Sequence, residues 1–256
     1  MTEATAAASG GGKRQRIAFA LAWTGLGLAL ACGVAELLAG LGYRWGWWHF
    51  RVGIQIMRWS ATSDLAAVVL ALAAVILAWK VGTRRALVTG VYGLVLGLVV
   101  AGPPLYQWRQ VELVPRIHDI TTDMVNPPRY VSVMPLRKGA ENSTDYSAEV
   151  AAQQKKAYPD IAPAMLETPP AQALQRAERA ARAMGWEIVA VAPDDLRIEA
   201  TDTTLLFGFK DDIVIRVAAN GSGSRVDMRS LSRVGRSDFG VNANRIRKFM
   251  VQLAAS

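Results

Sequence analysis

The sequence predicts a membrane protein in two parts, an α-helical bundle of three transmembrane spans followed by a small soluble α+β domain. Three observations support this fold class. Apolar runs occur near residues 17–41, 62–82 and 86–108. Seven of the eight tryptophans lie in residues 1–108, whereas most prolines lie beyond them. From residue 169 onward, a helical pattern is followed by strand alternation and then by a second helical pattern.

The composition excludes several classes of protein. Hydrophobic residues make up 52% of the 256-residue chain, which is incompatible with a disordered polymer. The single cysteine, Cys32, excludes an intrachain disulfide and any multi-cysteine metal site. The two histidines, His49 and His118, leave little material for a histidine-rich metal centre. We therefore expect neither a metal nor a cofactor.

The positive charge of the chain is concentrated in its apolar part. Residues 1–108 contain nine Lys/Arg and three Asp/Glu, a net +6, whereas residues 109–256 contain 20 and 18, a net +2. A nucleic-acid-binding protein carries its excess charge on the binding domain. The distribution therefore predicts the lipid bilayer, and not nucleic acid, as a partner.

The apolar runs have the length that a membrane span requires. A helix needs ~20 apolar residues to cross ~30 Å of hydrocarbon, and Glu36 and Asp64 interrupt the runs only near their ends. A soluble helical core is disfavoured because the polar part of the chain is too small to cover three such runs. We predict a flexible cytoplasmic tail over 1–16, a membrane domain over 17–108, and an interfacial loop over 43–59 whose aromatic and arginine side chains lie in the headgroup layer.

The flanking cations favour a cytoplasmic N-terminus. Cytoplasmic loops are enriched in lysine and arginine. The tail and the tight loop over 80–85 together carry six cations. The loop between the first two spans and the segment just after the third span together carry about five. We therefore expect the C-terminal domain to be extracytoplasmic.

The polar part begins with a segment that lacks regular structure. Residues 109–168 predict an extended, proline-containing arm with one short helix over 147–157. Residues 169–256 predict an α+β domain in the order helix, four strands, helix, with Ser237 or Asp238 capping the last helix. A four-stranded antiparallel sheet with two helices on one face fits this order.

Four motifs of this part resemble the domain-of-unknown-function family 1499. They are Ile117–Asp123 with Asn126-Pro127-Pro128, Ala157–Ile161, Phe207–Asp212 and Ser232–Asn242. The loop over 42–59 and the three spans resemble the membrane-anchored bacterial members of that family, so the likeness covers nearly the whole chain. The resemblance implies no activity, and no catalytic residue is carried over from it.

Two groups of polar residues are candidate ligand-binding sites. His118, Asp119 and Asp123 could bind a metal or act as acid and base, or could simply fasten the arm through hydrogen bonds. Near the last helix, three arginines could bind an anion for which Asp238 competes. They are Arg229, Arg233 and Arg236.

These features favour a binding module over an enzyme. We expect the α+β domain to face the envelope from a bacterial inner membrane and to bind a partner protein, a lipid headgroup or a small anion. An accessory subunit of a larger membrane complex is one alternative, with a membrane protein as its partner. A metal-assisted hydrolase that uses His118, Asp119 and Asp123 is the other.

Overall fold

The structure, a computed structural model, describes residues 2–255. The chain forms two compact units, Met1–Arg109 and Gln110–Ser256. The boundary follows Trp108, the residue at which the composition changes.

The first unit consists of three long helices: α1 (Thr2–Arg44), α2 (Phe50–Lys80) and α3 (Arg84–Leu113). Each contains a segment that is long and apolar enough to cross a membrane, with mean hydropathies of 2.0, 2.2 and 1.9. These segments are Gly12–Arg44, Phe50–Lys80 and Arg84–Arg109. The three predicted apolar helices are therefore confirmed, and their character is that of a membrane protein.

Two helix boundaries differ from the sequence-based expectation. Residues 2–16 continue α1, although a flexible tail is predicted for 1–16; Met1 lies outside the described residues. Helix α2 begins at Phe50, so most of the predicted interfacial loop is helical. His49 caps this helix by accepting a hydrogen bond from the Arg51 N–H. No proline interrupts residues 50–61, so the helix extends beyond the apolar run.

Small residues bring the three helices together. A Cβ atom on Gly25 of α1 would stand 2.9 Å from the backbone nitrogen of Ala71 on α2. A Cβ atom on Gly93 of α3 would stand 3.0 Å from the backbone nitrogen of Leu26. Such close backbone approach is how membrane helices gain packing energy where lipid removes the hydrophobic driving force. Several bulky side chains are instead exposed, as expected for lipid contact: Trp23, Val69 and Leu98.

The second unit is built on one antiparallel sheet. Its strands are β1 (Asp119–Thr121), β2 (Ala164–Leu166), β3 (Glu187–Ala192), β4 (Arg197–Thr203), β5 (Lys210–Asn220) and β6 (Gly223–Ser232). The strand order is β1-β6-β5-β4-β3, and β2 also pairs with β6. The helices are α4 (Ala148–Ala157), α5 (Pro170–Ala183) and α6 (Val241–Ala255).

The predicted four-stranded sheet is wrong in its number of strands, because the sheet has six. The two additional strands, β1 and β2, lie within the segment predicted as an extended arm, and each is three residues long. Three residues are too few to show a readable alternation of apolar and polar positions. Both strands pair with β6, so they cover a sheet edge that would otherwise expose unpaired backbone groups.

The two faces of the sheet have different partners. Alternate residues of β4, β5 and β6, among them Ile198, Ile215 and Met228, pack with α5 and α6 in the main core. On the other face, Tyr130 and Val133 of the arm pack against Val214 and Leu231. The part of the arm over 130–133 therefore covers this second face, whereas other arm residues, among them Ile117, Ile120 and Tyr158, pack in the main core on the first face.

Candidate functional site

A row of charged side chains occupies the sheet face beneath the arm. Glu199 of β4, Asp212 of β5 and Arg229 of β6 are 1%, 0% and 3% exposed. Strand side chains alternate between faces, so these residues point away from α5 and α6. A buried charge is costly unless it is paired and hydrogen-bonded, so each of the three needs a partner from the arm or from a neighbouring strand.

Asp119 and Arg229 form a bidentate ion pair. The Arg229 Nε donates to Asp119 Oδ1 at 3.0 Å, and Nη2 donates to Oδ2 at 2.6 Å. The guanidinium also donates to the Thr144 carbonyl oxygen and lies 5.1 Å from the ring centroid of Tyr130. Burial and the nearby Asp119 charge hold the pKa of Tyr130 well above its usual value. The pair fastens β1 and the arm to β6.

Asp212 is shared by two arginines. Arg233 donates from Nε and Nη2 at 2.9 and 2.7 Å, and Arg137 of the arm donates from Nη1. The Thr201 hydroxyl donates to the same carboxylate at 2.9 Å. Arg233 also donates to the Leu136 carbonyl oxygen. Both arginines are thus committed to interactions within the domain.

Asp123 and Asp227 form a second shared cluster with Arg216 and Arg225. The Nη2 atoms of both arginines lie 3.0 Å from Asp123 Oδ2, and each also contacts Asp227 at 3.0 Å. Burial acts to raise the pKa of Asp123, but the N–H groups of the turn over 125–126 and the Arg216 guanidinium outweigh it. The pKa of Asp123 therefore lies below its usual value.

The side-chain carboxylate of Glu199 binds backbone groups of the arm. Its carboxylate accepts hydrogen bonds from the N–H groups of Val131, Ser132 and Val133 at 2.9 to 3.1 Å. Arg197 Nε donates to the same group at 2.9 Å. Glu199 is not among the site residues that the sequence predicts. Its signal was present, because alternation with the buried Ile198 and Ala200 places Glu199 on the opposite face.

The remaining predicted residues lie near the start of α6. Asp238 accepts hydrogen bonds from the Gly240 and Asn242 N–H groups, each at 2.9 Å. Of the two caps predicted for this helix, Ser237 and Asp238, it is therefore Asp238 that caps it. The His118 Nδ1 lies 3.5 Å from the Arg236 carbonyl oxygen. The Arg236 side chain is exposed and forms no ion pair with the residues that the structure describes.

The structure does not bring the predicted sets together. Arg229 and Arg233 face the arm and are neutralised there, while Asp238 occupies the helix N-terminus where an anion was predicted to bind. Asp119 and Asp123 pair with different arginines. Within the described part of the chain, no group of three or more His, Cys, Asp or Glu side chains is arranged to hold a metal ion.

A cleft between the arm and the sheet is open to solvent. Its volume is about 280 Å³, and Arg129, Arg197 and Arg216 line it together with Asp195 and the segment over 126–128. Arg197 is held by Asp195 at 2.8 Å, and Arg216 donates to the Asn126 carbonyl oxygen at 3.0 Å. Arg129 is exposed and makes no hydrogen bond or ion pair with any described residue. The cleft is not predictable from local sequence patterns, because its walls come from segments about 70 residues apart.

Together, the fold and this face define a membrane-anchored α+β domain whose arm is fixed to its sheet by buried ion pairs. The profile of the family described as "Protein of unknown function (DUF1499)" matches residues 119–253, more than half of the 256-residue chain. The chain belongs to this family, and the predicted resemblance is confirmed. No curated protein matches the chain.

Proposed function

We propose that this protein is a membrane-tethered binding module whose C-terminal domain takes an anionic group, a phosphate or carboxylate, in the cleft between arm and sheet. The observation that carries the proposal is the lining of the cleft, where three arginines meet one acidic residue, Asp195. Of the three, only Arg129 makes no ion pair or hydrogen bond with a described residue. The buried charges Asp119, Asp212 and Arg229 are paired with one another or with neighbouring side chains, so Arg129 leaves the cleft with binding capacity for an anion.

The two paired arginines support the proposal by being held in place. Arg197 is fixed by Asp195 and Glu199, and Arg216 by Asp123 and Asp227. A guanidinium presents five N–H donors in a planar fork that matches the geometry of phosphate and carboxylate. An incoming anion would neutralise Arg129 and would lie beside two guanidinium groups whose positions are already fixed. A cleft of about 280 Å³ has room for a small anion or for the phosphate of a lipid headgroup.

The test is anion binding by the full-length protein in detergent. We expect inorganic phosphate to bind, and Arg129→Gln to weaken its affinity about tenfold, the equivalent of ~1.4 kcal/mol. Arg179→Gln, at an exposed arginine on α5, is the matched control and should leave binding unchanged. Equal binding by the two variants, or no binding by the wild type, would contradict the proposal.

A second part of the same experiment distinguishes a lipid headgroup from a free anion as the ligand. The protein is reconstituted into neutral vesicles and mixed with separate vesicles that carry an anionic phospholipid. A headgroup ligand predicts docking of the second vesicles that Arg129→Gln weakens and free phosphate competes away. A small soluble ligand predicts phosphate binding without docking.

We further propose that the N-terminus is cytoplasmic and that the binding domain is extracytoplasmic, in a bacterial inner membrane. The cations of the tail and of the loop over 80–85 support this orientation. A reporter that is active only outside the cytoplasm, fused after Trp108, should be active. Activity of a cytoplasm-only reporter at the same position would contradict the orientation.

A further inference from the structure

Two carboxyl groups lie among the three apolar helices without partners. Asp64 of α2 is 0% exposed, and neither of its carboxylate oxygens has a hydrogen-bond partner. Glu36 of α1 is partly buried, and its Oε1 atom is likewise buried and unpaired. The two groups lie within electrostatic range of each other. Neither forms an ion pair with a lysine or arginine of the described chain.

The site is enclosed by all three helices. Cys32 lies one turn before Glu36 on α1, is buried, and is within electrostatic range of both carboxyl groups. On α3, a Cβ atom added to Gly97 would stand 3.7 Å from each Asp64 oxygen and 2.8 Å from the Val68 side chain. The Ala101 backbone also lies beside Asp64, outside hydrogen-bonding geometry. Glycine at 97 therefore allows α3 to close over the carboxyl group.

The depth of Asp64 differs from the sequence-based expectation. In the sequence, Asp64 stands at the start of an apolar run and is expected near the end of a span. Its neighbour Gly97 is 13 residues from Arg84 and 12 from Arg109, the ends of the third apolar segment. The carboxyl group is therefore level with the middle of that segment.

An ionised carboxylate in this position has no positively charged partner among the described residues. Burying an unpaired charge in an apolar medium costs several kcal/mol or more, and a neighbouring carboxylate adds repulsion. The groups that act on Asp64 are Glu36 and Cys32 of α1, while α3 presents Gly97 and the Ala101 backbone. None of them supplies positive charge. A bound proton removes this cost, and no lysine or arginine of the described chain supplies a positive charge in its place.

We infer that Asp64 and Glu36 form an intramembrane proton-binding site, with Asp64 as its fully buried member and Glu36 as its partly buried member. Ionisable residues inside membrane segments commonly mark proton or ion pathways. The ligand proposed is a proton, because a proton cancels the charge of a buried carboxylate without needing further coordinating groups. The inference is independent of the anion cleft, which lies in the other unit.

The test uses a hydrophobic carbodiimide, which reacts with protonated carboxyl groups in apolar surroundings. Full-length protein in membranes is treated across a range of pH, digested and mapped by mass spectrometry. We expect an adduct on Asp64 or Glu36 that diminishes as the pH rises. Asp64→Asn and Glu36→Gln should each remove the adduct from the substituted position. Asp194→Asn, at an exposed aspartate of the soluble unit, should leave the adduct unchanged.

Two results would overturn the inference. The first is wild-type protein that shows no adduct on either residue at any pH, a result that does not depend on the folding of a variant. The second is protection of the carboxyl groups by sodium ions at constant pH, which would identify a metal cation and not a proton as the ligand.

Discussion

Glu199 receives three consecutive backbone N–H groups of the arm on a single buried carboxylate. An N–H group left buried without a partner costs about 1–3 kcal/mol. The Glu199 carboxylate therefore accepts the hydrogen bonds that carbonyl groups of a neighbouring strand would accept in a sheet.

Truncation of Glu199 should release this part of the arm. We expect Glu199→Ala to lower the free energy of unfolding by about 3 kcal/mol, because the three donors lose their acceptor. Hydrogen exchange in the full-length protein should accelerate at Val131, Ser132 and Val133. The control Glu187→Ala, at an exposed position on β3, should change stability by less than about 0.5 kcal/mol. Unchanged exchange over 131–133 would contradict the assigned role.

Asp123 gives the domain a defined dependence on acid. Its pKa lies below the usual value of 3.8, so the ionised form stabilises the fold. This contribution is complete above the usual pKa and is lost as the pH falls through the lower, folded-state pKa. We therefore expect the midpoint of thermal unfolding of the second unit to fall as the pH decreases below about 4. The fall should be shallower in Asp123→Asn. An identical acid profile in the variant would show that Asp123 does not contribute.

Helix α6 depends on its N-terminal cap. Asp238 accepts hydrogen bonds from two N–H groups at that end, so Asp238→Ala should destabilise the second unit by about 1–2 kcal/mol in thermal unfolding. Ser237→Ala is the matched control, since its hydroxyl accepts only one N–H group, that of Phe239, at 3.3 Å. A larger loss for Ser237→Ala than for Asp238→Ala would contradict the assignment of the cap.

The elements that the sequence predicts well are those with strong local signals. The three spans follow from apolar runs, and strands β3 to β6 follow from alternation and from the turn at Asn220-Gly221. Strands β1 and β2 could not be predicted locally. Each becomes a strand because it pairs with β6, which is more than 50 residues away in sequence.

The candidate site was predicted only in part, for a related reason. Proximity in sequence places Arg229, Arg233 and Asp238 near the start of α6. Alternation along β6 turns Arg229 away from the helices, because Met228 faces them. Arg233 lies one residue beyond β6 and donates to Asp212 on the same opposite face. Asp119 and Asp212, which neutralise these arginines, come from distant segments, so the pairing depends on tertiary structure.

At the scale of the whole molecule, one chain combines a unit suited to lipid with a unit suited to water. The first exposes bulky apolar side chains and buries small ones, whereas the second buries its apolar residues around a sheet. The unpaired carboxyl groups of the first unit and the open cleft of the second are separate features. Their proposed roles can therefore be tested independently.

The number of spans is the claim on which this account rests most heavily, and the location of the two termini tests it most directly. An odd number of crossings places the termini on opposite sides of the membrane. In intact right-side-out membranes, where the protease reaches only the extracytoplasmic face, we expect an N-terminal tag to be protected. A tag after residue 256 should be cleaved. Cleavage of both tags, or protection of both until the membrane is permeabilised, would contradict three membrane spans.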